Sequence, residues 1–349
     1  MKTKEKLEVP TGAELLARLS KDVKLAGATL GKDEARFLVD LYYQIQDFRI
    51  ATSGQIRSIT KLQTNEPHQT LAFFTHNFEQ LENDIKSVLD VYTDSSKVGA
   101  WCKSICGIGP VITAGLLSYI DIEQAPTAGH IWAYGGYDPT RQWLGTAKST
   151  ELYNEVIGDK KNIDSEDIIK LSARSGWKVE YLEKNGRPSK KKADGTVEYS
   201  DKYTKTALIK AMSFRPYNSH LKTLFWKIGQ SFIKVSNNEQ DIYGKIYKQR
   251  KAYEIVKNES GCYKQQADDK LVKFNIGKDT EAYKAYSVGK LPDAQITQRS
   301  ARYATKIFLS HLHRVMYLDH FNEEPPKPFA IAILGHAHEI ECPNLQYIK

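Results

Sequence analysis

Apolar residues recur at steps of three and four along two long stretches in the first third of the chain. One stripe carries Phe37, Leu41, Ile45, Phe48, Ile56 and Ile59, and the next carries Leu71, Phe74, Phe78, Leu81, Ile85, Val88 and Tyr92. This spacing predicts one apolar helix face in each stretch, and Pro67 interrupts the pattern between them. We therefore predict a long helical arm over residues 33–95, folded as an antiparallel pair or a coiled coil. The arm either packs within its own chain or forms a homodimer.

The segment 101–120 predicts two short helices joined by the turn Gly107-Ile108-Gly109. Pro110 suits the first position of the second helix, because its missing N–H is not needed there. The glycines are able to take positive φ and to let another backbone approach closely. Free amides at the start of a helix favour an anion such as a phosphate. The segment is typical of a helix-hairpin-helix that grips the DNA backbone, and the alternative is a purely structural turn. The predicted contacts of the hairpin are Gly107, Ile108, Gly109, Val111 and Thr113.

The remaining chain is predicted to be mainly helical around one basic, irregular insertion. Helical patterns cover residues 218–235, 243–255 and 293–319, and 258–292 reads as a polar connection. The insertion, 141–213, is predicted to be irregular, with one candidate helix at 164–173. Its linker-like basic segment, 183–205, is either a solvated loop or a contact to nucleic acid. The predicted phosphate contacts of the insertion are Arg141, Lys148, Arg187, Lys190, Lys191 and Lys192. We divide the chain into the arm (1–95), the hairpin core (96–140), the insertion (141–213) and a helical remainder (214–349).

Composition narrows the range of partners. Lys and Arg number 50 against 42 Asp and Glu, a net charge of +8, and such a surplus suits an acidic partner. No apolar run is long enough to span a bilayer, and the N-terminus lacks the core of a signal peptide. Four cysteines are too few and too scattered for a disulfide framework. We expect a cytoplasmic protein that does not enter a membrane.

Metal ligands are sparse. Cys102 and Cys106 are four residues apart on one helix face, but no further ligand pair stands nearby at zinc-site spacing. His336, His338 and Cys342 offer nitrogen and sulfur ligands to a transition metal, without a matching second half-site. We therefore predict no metal site and no cofactor; a divalent metal would enter only with a nuclease activity.

The hairpin and its sequel resemble a known family. The runs Gly107–Leu117, Pro126-Thr127 and Trp132–Pro139 resemble the C-terminal domain of the IS-one-ten/IS-one-sixteen insertion-sequence transposases. Weaker similarity lies at 218–224 and 302–317. The resemblance implies a transposase-like DNA-binding protein involved in DNA transposition or recombination. Its implied partners are DNA and, as a further candidate, structured RNA.

Two departures separate this chain from the enzymes of that family. The family carries an N-terminal RuvC-like nuclease domain with acidic residues that bind divalent metal, whereas the first hundred residues here are helical by pattern. The family also uses a serine nucleophile beyond the segment that ends here at Pro139. Trp143 and Leu144 stand where serines are expected, and Ser149 is the nearest substitute. Ser149 is thus the candidate catalytic residue for strand transfer. The alternative is a non-enzymatic helical interaction or accessory protein derived from a transposase.

Overall fold

The fold is described by a computed structural model for residues 16–62, 69–138, 140, 143–326 and 340–348. Over these ranges the chain is mainly α-helical, as predicted, with one two-stranded antiparallel sheet. The helices are α1 (Lys21–Ala26), α2 (Lys32–Leu62), α3 (Gln69–Asp94), α4 (Lys97–Lys103), α5 (Pro110–Tyr119), α6 (Ala128–Tyr134), α7 (Gly145–Val156), α8 (Ser165–Ser175), α9 (Val179–Asn185), α10 (Lys205–Ser213), α11 (Ser219–Val235), α12 (Tyr243–Glu259), α13 (Lys264–Lys273), α14 (Glu281–Ser287) and α15 (Asp293–Phe321). The strands are β1 (Ser189–Lys191) and β2 (Val197–Tyr199), and 3-10 turns cover 27–29, 122–124 and 345–347.

The chain divides into two compact units. Unit 1 combines the residues up to Ile131 with those from Thr223 onward, and unit 2 is Trp132–Lys222. The segment predicted as an insertion, 141–213, lies within unit 2. The other three predicted segments contribute most of their length to unit 1.

The predicted helical arm is an antiparallel helix pair. The Phe48 ring of α2 stacks on the Phe78 ring of α3, with centroids 6.2 Å apart. Val39, early in α2, shares a buried cluster with Leu89, late in α3. The same cluster includes residues of α5, so the arm packs against the hairpin within one chain. Homodimerisation through the arm stays a prediction.

An aromatic cluster holds the centre of unit 1. Trp101 of α4 stacks on Phe308 of α15 with centroids 5.7 Å apart, and Phe232 and Tyr243 meet the edge of Phe308 at 5.7 and 5.3 Å. All four rings are fully buried. Burial of one such ring contributes about 1.5–3 kcal/mol. The first helix of the hairpin is therefore anchored in the core.

Two helices occupy the stretch that was predicted as a polar connection. Tyr263 and Ala267, at the start of α13, share a buried cluster with Tyr286 and Leu291. The prediction for 258–292 was wrong. The apolar residues of this stretch are sparse. They form one apolar surface only when α13 and α14 pair, so no single window of the sequence shows an apolar helix face.

Unit 2 has its own core. Leu171, Leu182, Leu208 and Met212 are fully buried at the centre of α7–α10. Asp164 caps α8 through a reciprocal capping box, which is a strong helix start signal. The candidate helix at 164–173 is α8, but the rest of the segment 141–213 was wrongly predicted as irregular, because each of its helices is too short to show a full apolar stripe. The strands β1 and β2 form an exposed hairpin.

Candidate nucleic-acid interface

The first glycine of the predicted hairpin turn is required by the fold. Gly107 has φ +89°, and the Ser231 hydroxyl donates a hydrogen bond of 2.6 Å to its carbonyl oxygen. A Cβ added at Gly107 would lie 2.9 Å from Ser231 Oγ and 3.2 Å from Val235 Cγ2. Both neighbours belong to α11, so the turn is seated tightly on this helix. Packing and positive φ together account for glycine here.

The second glycine of the turn, Gly109, has neither the positive φ nor the close packing of Gly107. Gly109 has φ −100° and ψ 177°, an extended conformation open to any residue, and a Cβ there would meet nothing within 4 Å. It is the N-cap residue of α5, with Pro110 directly after it and no side chain capping the helix. The fold does not require glycine at this position. A ligand that approaches the backbone closely would require it.

The start of α5 presents amides outward from the helix. Its first intrahelical bond joins the Thr113 N–H to the Gly109 carbonyl at 3.0 Å. The amides of Val111 and Ile112 precede this bond and have no intrahelical acceptor. With the partial positive charge of a helix N-terminus, they form a direct donor set for an anion.

An open depression lies in front of this helix start. Its volume is about 510 Å³. It is lined by Lys103, Ser104, Ile105, Cys106, Gly107, Ile108, Gly109 and Gln240. Seven of these residues belong to the hairpin, and Gln240 comes from the loop between α11 and α12. The depression therefore opens onto the glycine that the fold leaves unexplained.

Lys103, which lines the depression, is compensated differently from Lys245 and Lys248, two lysines whose charges act on Asp241 in the adjoining loop. Lys103 Nζ lies 2.8 Å from Asp90 Oδ1 and also contacts Asp94, so two carboxylates balance its charge. Lys245 and Lys248 of α12 instead donate to neutral oxygens, the Glu239 carbonyl at 2.5 Å and Asn237 Oδ1 at 2.7 Å. The charges of both lysines also act on Asp241, where they oppose the larger effect of burial on its pKa.

A buried carboxyl lies near the turn. Asp241 is fully buried; its Oδ1 accepts the Gly244 N–H at 3.0 Å, and its Oδ2 has no partner among the described residues. Burial raises the pKa of Asp241. Burial, and secondarily the charge of Asp241, raises the pKa of the Cys106 thiol. Both shifts favour the neutral forms of these two groups.

Three predicted contact residues of the hairpin direct their side chains into the core. Ile108, Val111 and Thr113 are buried, and Thr113 Oγ1 donates to the Gly109 carbonyl at 3.0 Å. These side chains shape the turn. Any contact that they make with a ligand must come from the backbone, as for Gly107 and Gly109.

The predicted basic contacts belong to unit 2. Lys190, Lys191 and Lys192 are exposed at β1, and Lys192 Nζ lies 3.4 Å from Glu198 Oε2. Arg187 is tied to its own unit: its guanidinium stacks 4.7 Å from the Tyr203 ring centroid and donates to the Tyr203 hydroxyl at 3.1 Å. Lys148 is exposed on α7, and Arg141 lies outside the described residues.

Ser149 is the residue predicted to be the candidate nucleophile. It is fully buried within α7, and its Oγ has no hydrogen-bond partner among the described residues. A serine nucleophile needs a base or a cation within reach. The geometry around Ser149 therefore gives no support to strand transfer by this residue.

All four cysteines are free thiols. Cys102 and Cys342 are buried, and burial raises the pKa of each thiol, to about 12 for Cys342. His336 and His338 lie outside the described residues. Within the described ranges, no group of three or more His, Cys, Asp or Glu residues is placed to hold a metal ion.

Comparison with known proteins gives no match for this chain among protein families, curated proteins or solved structures. In the described part of the chain, no helix combines the length and apolar character needed to cross a membrane.

Sequence reasoning missed the part that α11, α12 and their connecting loop play beside the turn. Gln240, Lys245 and Lys248 are far from the hairpin along the chain. The polar loop after the apolar stripe of α11 marks an exposed helix end, but nothing in it identifies the segment that it meets. Only the fold brings Gln240 to the depression.

Proposed function

We propose that this chain binds the phosphate backbone of DNA through the Gly107-Ile108-Gly109 turn and the start of α5. The observation that carries the proposal is Gly109, which the fold does not require, at the mouth of an open depression and at an uncapped helix start. The resemblance of 107–139 to insertion-sequence transposases supports a role in DNA transposition or recombination. Strand transfer by Ser149 is not part of the proposal.

Binding of this kind is independent of base sequence. Phosphate oxygens would accept hydrogen bonds from the amides of Val111 and Ile112, while the absence of a Cβ at Gly109 lets the strand come close. Lys245 and Lys248 would add long-range attraction. Backbone contacts fix the position of a protein on the duplex and carry no sequence information.

The test is Gly109→Glu, measured by fluorescence anisotropy with a labelled random-sequence duplex at several salt concentrations. The backbone at Gly109 admits a side chain, so the variant should fold, and its carboxylate would repel phosphate. We expect duplex affinity to fall about tenfold or more, since like charges about 4 Å apart repel by more than 1 kcal/mol. Gly54→Glu is the matched control, because a Cβ at Gly54 on α2 also meets nothing within 4 Å.

Equal duplex affinity of the Gly109→Glu and Gly54→Glu variants would overturn the hairpin as the binding site. A wild-type protein that ignores both duplex DNA and structured RNA at low salt would overturn the whole proposal. It would favour the second candidate, a helical interaction or accessory protein in which the hairpin is a packing motif. The crowding of Gly107 against Ser231 and Val235 is the observation behind that alternative.

A further inference from the structure

Unit 2 exposes large aromatic rings on one loop and on the segment that this loop contacts. Phe214 is 64 % exposed and Trp143 is 47 % exposed. The Trp143 indole N–H donates to the Ser213 carbonyl at 2.8 Å, which joins the two segments. The indole is therefore held in a fixed orientation while about half of its surface faces solvent.

Cations accompany these rings. The Arg215 guanidinium lies 4.8 Å from the centroid of the Trp143 ring, and Lys222 Nζ lies 4.0 Å from the centroid of the Tyr217 ring. Within the described part of the chain, no carboxylate lies within 4.0 Å of the charged groups of Arg215 or Lys222. We call Trp143, Phe214, Arg215, Tyr217 and Lys222 the aromatic platform.

The backbone beneath the platform is adapted to it. Gly136 has φ +69°, and a Cβ there would lie 2.8 Å from the Tyr217 ring and 3.1 Å from Lys222 Cδ. The Asn218 N–H donates to the Tyr134 carbonyl at 2.8 Å. The loop that carries Arg215 and Tyr217 is thus held against the 134–136 segment by a hydrogen bond and by close packing.

The charge of unit 2 indicates the chemistry of the partner. Residues 132–222 contain 17 Lys and Arg against 12 Asp and Glu, so this quarter of the chain carries +5 of the net charge of +8. Exposed aromatic rings beside uncompensated cations match a polyanion with flat apolar groups. Single-stranded nucleic acid has this chemistry, since its bases stack on aromatic side chains and its phosphates pair with Arg and Lys.

We propose that the aromatic platform binds the unpaired bases of single-stranded DNA or RNA. A base stacks on the solvent face of the Trp143 indole and a neighbouring base on Phe214. Arg215 and Lys222 hold the adjacent phosphates. A duplex cannot use the platform, because its bases are already stacked on one another. The proposal rests on unit 2 alone and goes beyond the grip of the hairpin on duplex DNA.

The experiment measures the affinity of the full chain for a labelled dT20 strand and for an abasic strand of the same length. Stacking of one base contributes about 1–3 kcal/mol, so we expect Trp143→Ala to weaken dT20 binding about tenfold. We expect Phe214→Ala to act in the same direction and neither change to affect the abasic strand. Trp226→Ala and Phe37→Ala are matched controls in unit 1, with rings 51 % and 65 % exposed.

Trp143→Phe separates stacking from loop structure. This variant loses the hydrogen bond to Ser213 but keeps an aromatic ring on which a base can stack. Its binding of dT20 should therefore be largely retained. If the Trp143→Ala and Phe214→Ala variants bind dT20 as the controls do, or weaken dT20 and the abasic strand equally, the platform is refuted. Displacement of dT20 by a proline-rich peptide at similar affinity would assign the rings to peptide binding and refute it as well. Retained duplex binding in the Trp143→Ala variant, with loss in Gly109→Glu, would separate this site from the hairpin.

Discussion

The hairpin turn of unit 1 and the β1–β2 hairpin of unit 2 were both predicted to contact phosphate, yet they are built in opposite ways. Each contains a left-handed glycine, Gly107 at φ +89° and Gly195 at φ +86°. A Cβ at Gly107 would collide with α11, whereas a Cβ at Gly195 would meet nothing within 4 Å. The first turn is fixed by its surroundings, and the second is a surface feature with little tertiary restraint.

The charges differ in the same way. Lys103, the cation that lines the depression of unit 1, is paired with two aspartates. Lys190 and Lys191 stand on a strand whose residues are all exposed. The hairpin turn offers oriented amides beside a lysine that two aspartates compensate, and β1 offers exposed charge with little defined geometry. Oriented amides give a defined docking position, whereas mobile cations give salt-dependent attraction.

The largest expected difference between the two regions is in stability. Gly107→Ala forces a side chain into the left-handed region and into Ser231 and Val235. Strain and overpacking together should lower the free energy of unfolding by about 3 kcal/mol. Gly195→Ala has the strain without the collision and should cost about 1 kcal/mol. Urea unfolding followed by circular dichroism measures both.

Gly109→Ala serves as the control for this pair, because its φ is ordinary and its surroundings are open. Its unfolding midpoint should match that of the wild type. Equal destabilisation by Gly107→Ala and Gly195→Ala would show that α11 does not restrain the turn, and the contrast between a fixed and a free hairpin would disappear.

Acid should affect unit 1 through a buried histidine. His311 Nδ1 lies 2.7 Å from the Tyr243 hydroxyl and its Nε2 lies 2.9 Å from the Ile340 carbonyl. Burial, with a smaller effect of Arg314, lowers the pKa of His311 from 6.5 to about 4. As the pH falls, His311 is therefore protonated in the unfolded chain before it is protonated in the folded chain. Stability is complete above pH 6.5 and falls by about 3 kcal/mol as the pH drops to about 4.

The consequence should appear at the hairpin. The C-terminal segment 340–348 that His311 holds also contacts α4, since the Trp101 indole N–H donates to the Pro343 carbonyl at 2.8 Å. The protection factors of amides in 340–348 and in α4 against hydrogen exchange should be lower at pH 5 than at pH 7. His313, whose pKa is also lowered by burial, contributes in the same direction. His311→Asn should flatten the pH dependence of unfolding. An unchanged pH profile in that variant would remove the His311 contact as the cause.

The same contrast explains how far the sequence could be interpreted. Long stripes identified α2, α3, α11 and α15, and Pro110 after two glycines identified the start of α5, because these signals are local. The different roles of Gly107 and Gly109 were not predictable, since they depend on where Ser231 and Val235 lie. A helix was anticipated at 164–173, where α8 lies, but α7, α9 and α10 escaped prediction because each buries only a few apolar residues, and the core that they share is a tertiary property.

The smallest expected effect is in the salt dependence of duplex binding. If the β1 cations bind phosphate by counterion release, Lys191→Gln should reduce the slope of log K against log salt by about one. Lys192→Gln should change it less, because Lys192 Nζ already lies 3.4 Å from Glu198 Oε2. Gly109→Val, which removes space without altering charge, should lower the affinity at every salt concentration and leave the slope unchanged. Anisotropy titrations across a range of salt concentrations measure all three variants.

The slope of log K against log salt thus reports on β1, and the affinity at a given salt concentration reports on the depression of unit 1. Lys191 lies opposite Val197 in the sheet register, on the face away from Glu198, so its charge is the least compensated of the three lysines. An unchanged slope in the Lys191→Gln variant would show that β1 is a solvated hairpin. All duplex binding would then be assigned to unit 1. A changed slope in the Gly109→Val variant would mean that phosphate binding at the depression also releases counterions. The depression could then no longer be called a geometric surface in contrast to an electrostatic one at β1.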